Sequence, residues 1–461
     1  MKKAVYLLCF LVCTGCQVQP VNESVSLDVP GKWDQAEGSS SDWPDADWWR
    51  NFESEELNRL MTEARNNNLD LAAATARILQ AEAQAKLAGV ALLPTLDLSA
   101  GAGRQGTFGG NNKTDASNNF NISLGASYEV DFWGKNRANL ASAEESLRAS
   151  QFDRETVTLT ITSSVAITYL QVLSLRERIA IARLNLENSE SVMKLVESRV
   201  KYGAASPLDL AQQRAVVARQ QAAIPPLQQQ ERDARSALAI LLGKPPQGFD
   251  ISATSLGDIA LPEVIAGLPS GLLTRRPDIQ TAEARLRAAN ADIAAARAAY
   301  FPAIELTGST GFASSALSAL FDGGALYNLA LSLAQPIFDA GRRKAEEDIA
   351  VAKREELVQS YRSAIINAFA DVDTSLGTIR STAEQQDHQM EQLKQAEIAF
   401  RLAQQRYREG AEDLLTVLDA QRTLYDAQDQ QQQTRFSHLQ ALVGLYRALG
   451  GGWEGESYAL Q

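Results

Sequence analysis

Hydrophobic and polar residues alternate without interruption through residues 120–132, which read FNISLGASYEVDF. Every second side chain from Phe120 to Phe132 is apolar, and the residues between them are polar or glycine. This period of two predicts a β-strand with one apolar and one polar face. Similar alternation elsewhere predicts three more strands, so that four are expected at about residues 95–106, 120–133, 303–312 and 327–338.

Long helix-forming segments rich in Ala, Leu, Gln, Glu and Arg flank these strands. Residues 135–202 contain neither Gly nor Pro, and residues 342–409 contain only Gly377. A straight helix of this length would extend roughly 100 Å at 1.5 Å per residue. A Gly-containing turn follows each segment and a second helical segment returns, so each is predicted to form a long helical hairpin. Pro225-Pro226 is predicted to break or kink the first returning helix.

This order of elements occurs twice along the chain. LPTLDLSAGAG at 93–103 matches FPAIELTGSTG at 301–311, 208 residues later. Leu242-Gly243 matches Leu449-Gly450 at an offset of 207. The sequence therefore predicts an α+β protein built from an internal structural repeat. The expected parts are repeat 1 at 50–250, an inter-repeat linker at 251–267, repeat 2 at 268–453 and a C-terminal tail at 454–461.

The N-terminus carries an export signal. Lys2 and Lys3 precede a short apolar run that is too short to span a bilayer as a helix. Thr14-Gly15-Cys16 resembles the end of a bacterial lipoprotein signal, although Cys13 stands where Leu is usual. We therefore predict a signal peptide at 1–15, lipidation of Cys16, a lipid-anchored segment at 16–49 and location in the outer membrane.

Composition excludes several functional classes. The net charge of −12 argues against nucleic acid as a partner. Two histidines without metal-ligand spacing argue against a metal site or an enzyme. Residues 101–106 match the G-x-G-x-x-G pattern, but a loop follows them instead of a helix, so no cofactor is expected.

The alternating strands fit two kinds of sheet. One is a soluble sheet with one buried face; the other is a membrane barrel with an apolar side towards lipid and a polar side towards the lumen. Aromatic residues near the strand ends, such as Tyr128 and Phe301, favour the barrel. Four strands cannot close a barrel, because open edges in hydrocarbon leave backbone groups unpaired. Three chains would supply twelve strands and leave room for a pore, so a homotrimer is expected.

Four blocks of the sequence carry a resemblance to a known family. They are SYEVDFWGKNR at 127–137, LLTRRPDIQTAEARLRAANADIAAARAAYFPAIELTGSTGF at 272–312, LTVLDAQRTL at 415–424 and LYRALGGGW at 445–453. In combination they resemble the outer-membrane efflux proteins of the TolC/OprM type, in the lipoprotein branch that serves multidrug pumps. The resemblance implies a trimeric twelve-stranded outer-membrane β-barrel, with four strands per chain, continuous with a long periplasmic α-helical barrel.

The resemblance also implies a function. Such a channel catalyses nothing and passes substrates from an inner-membrane drug transporter and a periplasmic adaptor to the exterior, surrounded by outer-membrane lipid. The outer channel of a type I protein secretion system is an alternative within the same fold. A periplasmic coiled-coil scaffold without a pore is an alternative from another class.

In this family the channel closes where the helical hairpins turn. The resemblance places a constricting apolar ring at Leu415 and an acidic ring at Asp419, and suggests that Arg422 holds the closed state through ion pairs. Asp209 is the corresponding acidic candidate in repeat 1. Alternatively, these are solvated charges at helix starts, where Asp is favoured by the helix dipole.

The hairpin tips are where an adaptor would bind in relatives. Simple turn chemistry is the competing explanation for the same residues. The candidates are Tyr202, Gly203, Ser206, Pro207, Arg406, Gly410 and Glu412.

Overall fold

A computed structural model describes residues 29–34, 43–108, 114–262, 266–267, 269–451 and 453. The predicted signal peptide, Cys16 and the tail at 454–461 lie outside these residues. The chain divides into two compact units. Among the described residues, the first unit contains Ala76–Gln151 and Thr281–Arg362, and the second contains the remainder.

The repeat is visible in matching pairs of elements. Helices α2 and α6 have 22 residues each, α3 and α7 have 67 and 68, and α4 and α8 have 35 each. Short 3-10 helices lie at Trp48–Phe52, Pro269–Gly271 and Leu317–Ala319. The helices and strands are α1 Glu55–Asn67, α2 Leu69–Val90, β1 Thr95–Phe108, β2 Thr114–Glu129, α3 Lys135–Lys201, α4 Pro207–Leu241, α5 Leu272–Arg275, α6 Pro277–Ala298, β3 Ala303–Ser314, β4 Leu326–Ala334, α7 Arg342–Glu409 and α8 Leu414–Ala448.

The four strands form one antiparallel sheet in the first unit, in the order β1-β2-β3-β4. The register places apolar residues opposite apolar residues, as in the pairs Leu98 with Leu124 and Leu306 with Leu331. Since side chains alternate along each strand, the apolar residues of all four strands share one face. The other face carries small polar residues and a few carboxylates, and hydroxyl groups such as those of Ser99 and Ser123 pair across it at 2.9 Å.

Several strand ends differ from the predicted ones, most of all in β2 and β4. Strand β2 begins at Thr114 and ends at Glu129, not at residue 133, because Asp131 caps the following helix. Its carboxylate accepts hydrogen bonds from the backbone N–H groups of Asn136 at 2.9 Å and Arg137 at 3.0 Å. Strand β4 ends at Ala334, not at residue 338, shortly before Pro336, which has no N–H to donate.

Of the two predicted effects of Pro225-Pro226, a break or a kink, the break does not occur. Helix α4 runs without interruption from Pro207 to Leu241. The carbonyl groups that lose their donors belong to Gln221 and Ala222, four residues earlier. Both residues are exposed, so their carbonyl groups are open to solvent and the helix continues without a large penalty.

Aromatic side chains form the centre of the second unit. Trp48 stacks on Tyr446 with ring centroids 4.9 Å apart, and Phe52 and Tyr169 are fully buried in the same cluster. One described helix, α3, is long and apolar enough to cross a membrane by length and hydropathy alone. It contributes Leu173 and other buried residues to this cluster, so we interpret its apolar stretch as core.

The inter-repeat linker is bound to the same unit by charged side chains. Glu56 accepts hydrogen bonds from the backbone N–H groups of Ser252 at 2.8 Å and Ala253 at 2.9 Å. Burial alone would raise the pKa of the Glu56 carboxyl, but these hydrogen bonds outweigh it and lower the pKa. Arg176 donates to the carbonyl groups of Ile251 and Ala253, at 2.7 and 2.8 Å.

Candidate functional site

The sheet presents its apolar face to the surroundings. Leu98 of β1 is 72% exposed and Leu329 of β4 is 76% exposed, although both point to the apolar side. Leaving such a side chain in water instead of burying it costs about 1.5–3 kcal/mol. In the described chain, β1 and β4 each pair with one strand only. The sheet therefore needs an apolar environment on one face and further strands at both edges.

The two hairpin tips have the same backbone geometry. The hairpin of repeat 1 joins α3 to α4, and that of repeat 2 joins α7 to α8. Gly203 and Gly410 end the first helices with φ of 75° and 79°, in the left-handed region that glycine adopts without a steric penalty. Ser206 and Asp413 then cap the returning helices, accepting hydrogen bonds from the backbone N–H groups of residues 209 and 416.

The cap in repeat 2 carries a charge. The backbone N–H of Thr416 donates to the Asp413 carboxylate at 3.0 Å, and its hydroxyl donates at 2.9 Å. Chiefly because of the backbone hydrogen bond, the pKa of Asp413 lies below its usual value.

The predicted apolar gate residue lies at the tip with its side chain exposed. Leu415 is 65% exposed, whereas its neighbours Leu414 and Val417 are buried among α3, α7 and α8. Leu208 stands 207 residues before Leu415 and is also 65% exposed. Each tip therefore presents one leucine that the chain itself does not cover.

Asp419 and Arg422 form an ion pair on the outside of α8. Arg422 donates to the Asp419 carboxylate at 2.6 Å, and the two side chains are 60% and 66% exposed. Exposed pairs of this kind contribute about 0–1 kcal/mol to stability. The pair is therefore not needed to hold the hairpin together and is accessible to another chain, an ion or a passing solute.

Asp209 has a different position from Asp419. It forms a capping box with Ser206: the Asp209 carboxylate accepts from the backbone N–H of Ser206 at 2.8 Å, and the Ser206 hydroxyl accepts from the backbone N–H of Asp209 at 3.2 Å. Its carboxylate thus has a local structural role at the start of α4.

A contact between the two tips was not predicted from the sequence. The guanidinium of Arg199, at the end of α3, lies 4.5 Å from the centroid of the Tyr407 ring of α7. Arg199 also donates to the backbone carbonyl of Tyr407 and to that of Ala204. Arg406 occupies the equivalent position in repeat 2, 207 residues later, and its one ion pair among the described residues is with Glu412, at 3.4 Å.

Next to the tips lies a buried polar network that the sequence analysis also missed. Gln421 of α8 donates to the Ser189 hydroxyl at 3.0 Å and to the Tyr425 hydroxyl at 2.7 Å. Gln213 of α4 donates to the Ser189 carbonyl at 2.8 Å. The side-chain oxygens of Gln213 and Gln421 have no partner among the described residues. Unpaired buried acceptors cost about 1–3 kcal/mol each, so this junction of α3, α4 and α8 is less tightly held than an apolar core.

The predicted adaptor-contact residues lie at the outer surface of the tips. Tyr202 is 78% exposed, and Pro207 is exposed as the first residue of α4. Arg406 and Glu412 form the ion pair described above, with Arg406 61% exposed.

The described residues contain neither a cluster of metal ligands nor a dinucleotide-binding fingerprint. No group of three or more metal-ligating side chains occurs within them. Gly101, Gly103 and Gly106 lie inside β1 and do not precede a helix, which a dinucleotide fingerprint requires.

Comparison with known proteins assigns the family. The sequence model described as Outer membrane efflux protein matches residues 60–244 and again residues 268–451. The chain belongs to this family. Its two matches fall on the two copies of the repeat that the structure shows.

The similarity extends over full-length relatives. The chain is 46% identical over 447 residues to the pyoverdine export outer membrane protein OpmQ of Pseudomonas putida, covering 95% of each chain. It is 33% identical to the cation efflux system protein CusC of Escherichia coli, covering 96% of this chain and 97% of CusC. The structure superposes on the outer-membrane channel OprN with a TM-score of 0.89 at 28% identity, covering 94% of this chain and 99% of OprN.

These likenesses confirm the predicted fold class and function. The chain is an outer-membrane exit channel of an efflux system and is located in the outer membrane. A scaffold without a pore is therefore set aside. The exposed apolar face of the sheet is the surface that such a protein presents to lipid.

Proposed function

We propose that three copies of this chain close one barrel of twelve strands and form the outer-membrane duct of a tripartite pump. The open sheet carries the proposal: it has an exposed apolar face, a polar face and two edges that pair with nothing in the described chain. In a trimer, β1 of one chain pairs with β4 of the next, and the polar face lines the lumen.

Disulfide crosslinking tests this arrangement. Leu98→Cys in β1 combined with Leu329→Cys or Leu331→Cys in β4 places cysteines on opposite edges of one sheet, where they cannot pair within a chain. We expect oxidised membranes to give covalent dimers and trimers for at least one combination, and purified protein to conduct in planar bilayers. The single-cysteine variants are the controls and should not give trimers. A monomer without conductance would refute the proposal.

We further propose that the hairpin tips form the periplasmic gate, with Leu415 as the constriction and Asp419 as a ring of charge held by Arg422. Both side chains are exposed on the chain itself, as residues facing a lumen or a neighbouring chain must be. Arg199 joins this gate as the link between the two tips. Replacing Leu415 with Ala and Asp419 with Ser together is expected to raise conductance and vancomycin entry into cells. Unchanged values for both would remove these residues from the gate.

The outer surfaces of the tips are proposed to bind the periplasmic adaptor, which connects the duct to an inner-membrane transporter. The exposed side chains of Tyr202 and Leu208 support this, since the tip of repeat 1 offers two apolar contacts next to charged groups. Tyr202→Asp should reduce co-purification of the adaptor without changing conductance. Normal adaptor binding by this variant would place the contact elsewhere.

Lipidation of Cys16 is proposed to anchor the N-terminus to the outer membrane. Labelled palmitate should be incorporated by the natural chain and not by Cys16→Ser. Labelling that persists in the variant would exclude this residue.

For the cargo, we propose a siderophore of the pyoverdine kind, because the proteins at 45–46% identity over nearly the full length are both named for pyoverdine export. Deletion of the gene should lower the chelator secreted by iron-limited cells, and the natural gene should restore it. Unchanged secretion together with greater sensitivity to copper would favour cation efflux, as named for CusC.

A further inference from the structure

A cavity of about 560 Å³ lies in the second unit where α3, α4 and α8 meet. This volume falls in the range of about 300–1,000 Å³ that is typical of small-molecule sites. The wall on one side is apolar and includes Ile181, Pro226 and Leu227. Pro226 belongs to the proline pair of α4, which has no counterpart in α8.

The base of the cavity contains a buried acceptor. Asn185 lines the cavity, is 4% exposed, and its side-chain oxygen has no hydrogen-bond partner among the described residues. The neighbouring Tyr425 hydroxyl is already used, since it donates to the Asn185 backbone carbonyl at 2.8 Å. The free Asn185 oxygen therefore requires a donor that the protein does not supply.

The charges around the cavity leave one cation and one anion without partners. Arg178 is neutralised by Asp429 through two contacts, at 2.7 and 3.2 Å. Arg422 is neutralised by Asp419, as described above. Arg219 and Asp426 also line the cavity, are exposed at its opening, and form no hydrogen bond or ion pair within the described part of the chain.

We propose that this cavity binds a small zwitterionic molecule with an apolar side group, of the amino-acid or short-peptide class. Its carboxylate meets Arg219, its ammonium meets Asp426 and donates to the Asn185 oxygen, and its apolar group packs on Pro226 and Leu227. A purely anionic ligand gives the buried Asn185 oxygen no donor and places a like charge beside Asp426, and a purely cationic one gains nothing from Arg219. The proposal concerns binding alone and stands whether or not Leu415 and Asp419 form the gate.

Three fluorinated probes of nearly equal size separate these contributions. They are 5-fluorotryptophan, which is zwitterionic, 5-fluorotryptamine, which lacks the carboxylate, and 5-fluoroindole-3-propionate, which lacks the ammonium. Fluorine NMR of each probe with the purified full-length protein, corrected with protein-free detergent, gives the affinities. We expect the zwitterion to bind at least about fivefold more tightly than either relative.

Substitutions test which residue recognises the carboxylate of the ligand and which recognises its ammonium. Arg219→Ala should remove the preference of the cavity for 5-fluorotryptophan over 5-fluorotryptamine, and Asp426→Asn should remove the preference over 5-fluoroindole-3-propionate. Arg232→Ala is the matched control, because Arg232 is an exposed arginine of α4 that bonds only to Gln229 and does not line the cavity. It should leave all three affinities unchanged.

Filling the cavity provides an independent test. Ala223→Trp places a large side chain in the cavity and should abolish binding of the zwitterion. If that variant does not assemble, Asn185→Leu removes the buried acceptor while keeping a side chain branched at the same carbon, and should weaken binding at least about fivefold. Equal affinity for the three probes, or affinity that Arg219→Ala leaves unchanged, overturns the proposal.

Discussion

The two hairpin tips have the same backbone and different side-chain chemistry. Both end the outgoing helix on a left-handed glycine, cap the returning helix with a side-chain oxygen and expose one leucine. In repeat 1 the cap is Ser206 with Asp209 in a capping box, whereas in repeat 2 it is the carboxylate of Asp413. Among the described residues, repeat 2 has an exposed ion pair with both partners on the returning helix, Asp419 with Arg422, within about three turns of the cap. Repeat 1 instead has an exposed pair between its two helices, Glu197 with Arg214.

This comparison of the two tips separates the residues that the turn needs from the residues that belong to the proposed gate. The glycine and the cap satisfy backbone geometry and free N–H groups, so they are needed in both repeats. The exposed pair Asp419–Arg422 satisfies no such requirement. The contact of Arg199 with Tyr407, called the clamp below, is also present in one direction only. Arg199 contacts the tip of repeat 2, whereas its equivalent Arg406 pairs with Glu412 within its own tip. If the tips form the gate as proposed, repeat 1 is expected to hold repeat 2 through Arg199.

The largest expected effect comes from breaking the clamp. Arg199→Ala removes the stacking on Tyr407 and the hydrogen bonds to two carbonyl groups. Together these contribute about 2–3 kcal/mol, so the ratio of open to closed channels should rise roughly 30- to 150-fold. Single-channel recordings and vancomycin sensitivity measure this. Arg406→Ala is the control and should change the ratio less than about threefold; equal effects would show that the clamp is symmetric.

A smaller effect tests the feature that the tips share. Gly203→Ala and Gly410→Ala each place a Cβ at positive φ, which costs about 1–2 kcal/mol. A Cβ at either position meets no atom closer than ordinary contact, so strain in the backbone is the only cost. Hydrogen exchange at the two tips should accelerate by similar factors. A difference greater than about tenfold would mean that the turns are not equivalent.

Substitutions of Asp209 and Asp419 should have different effects, the first on stability and the second on ion selectivity. Asp209→Ala breaks the capping box and should destabilise the start of α4 by about 0.5–1 kcal/mol, seen as faster hydrogen exchange there. Asp419→Ala should leave exchange unchanged, because the exposed pair contributes little stability. It should instead reduce the preference of the channel for cations, measured as a shift in reversal potential. A change in ion selectivity in Asp209→Ala, with none in Asp419→Ala, would contradict this assignment of roles.

The smallest expected effect is the response to acid. The pKa of Asp413 is lowered, chiefly by the hydrogen bond from the Thr416 backbone, so its charge stabilises the cap at pH values above the usual 3.8. That stabilisation is lost as the pH falls through the lowered pKa. Exchange at the start of α8 should therefore accelerate as the pH falls below about 3.8, beyond the intrinsic change. Asp413→Asn keeps a neutral cap and should abolish this acceleration; if the acceleration remains, another group titrates there.

Local patterns predicted most of the architecture. The alternation through residues 120–132 identified β2, and the absence of Gly and Pro from 135–202 identified α3, because these signals depend on neighbours in sequence. The end of β2 was missed because it depends on the side chain of Asp131 bonding to the next helix. The continuation of α4 through Pro225 depends on solvent exposure, which the sequence does not display.

The candidate site was only partly accessible from the sequence. Leu415 and Asp419 followed from a family resemblance, and the gate assignments stay predictions. Arg199 with Tyr407, and Gln213 with Ser189, were not predicted because their partners come from different helices. Only folding brings them together, and no spacing along one helix announces such a contact.

The open sheet has a consequence for how the protein is made. A single chain crossing the periplasm carries an apolar face and two bare strand edges, and each is a site for unwanted association. Such a chain cannot enter the bilayer first and find partners later, since its edges would be unpaired in hydrocarbon. Folding and assembly must therefore be one event. The yield of assembled channels then depends steeply on the concentration of newly exported chains. A small fraction of defective chains would inactivate a larger fraction of the trimers, because each trimer contains three chains.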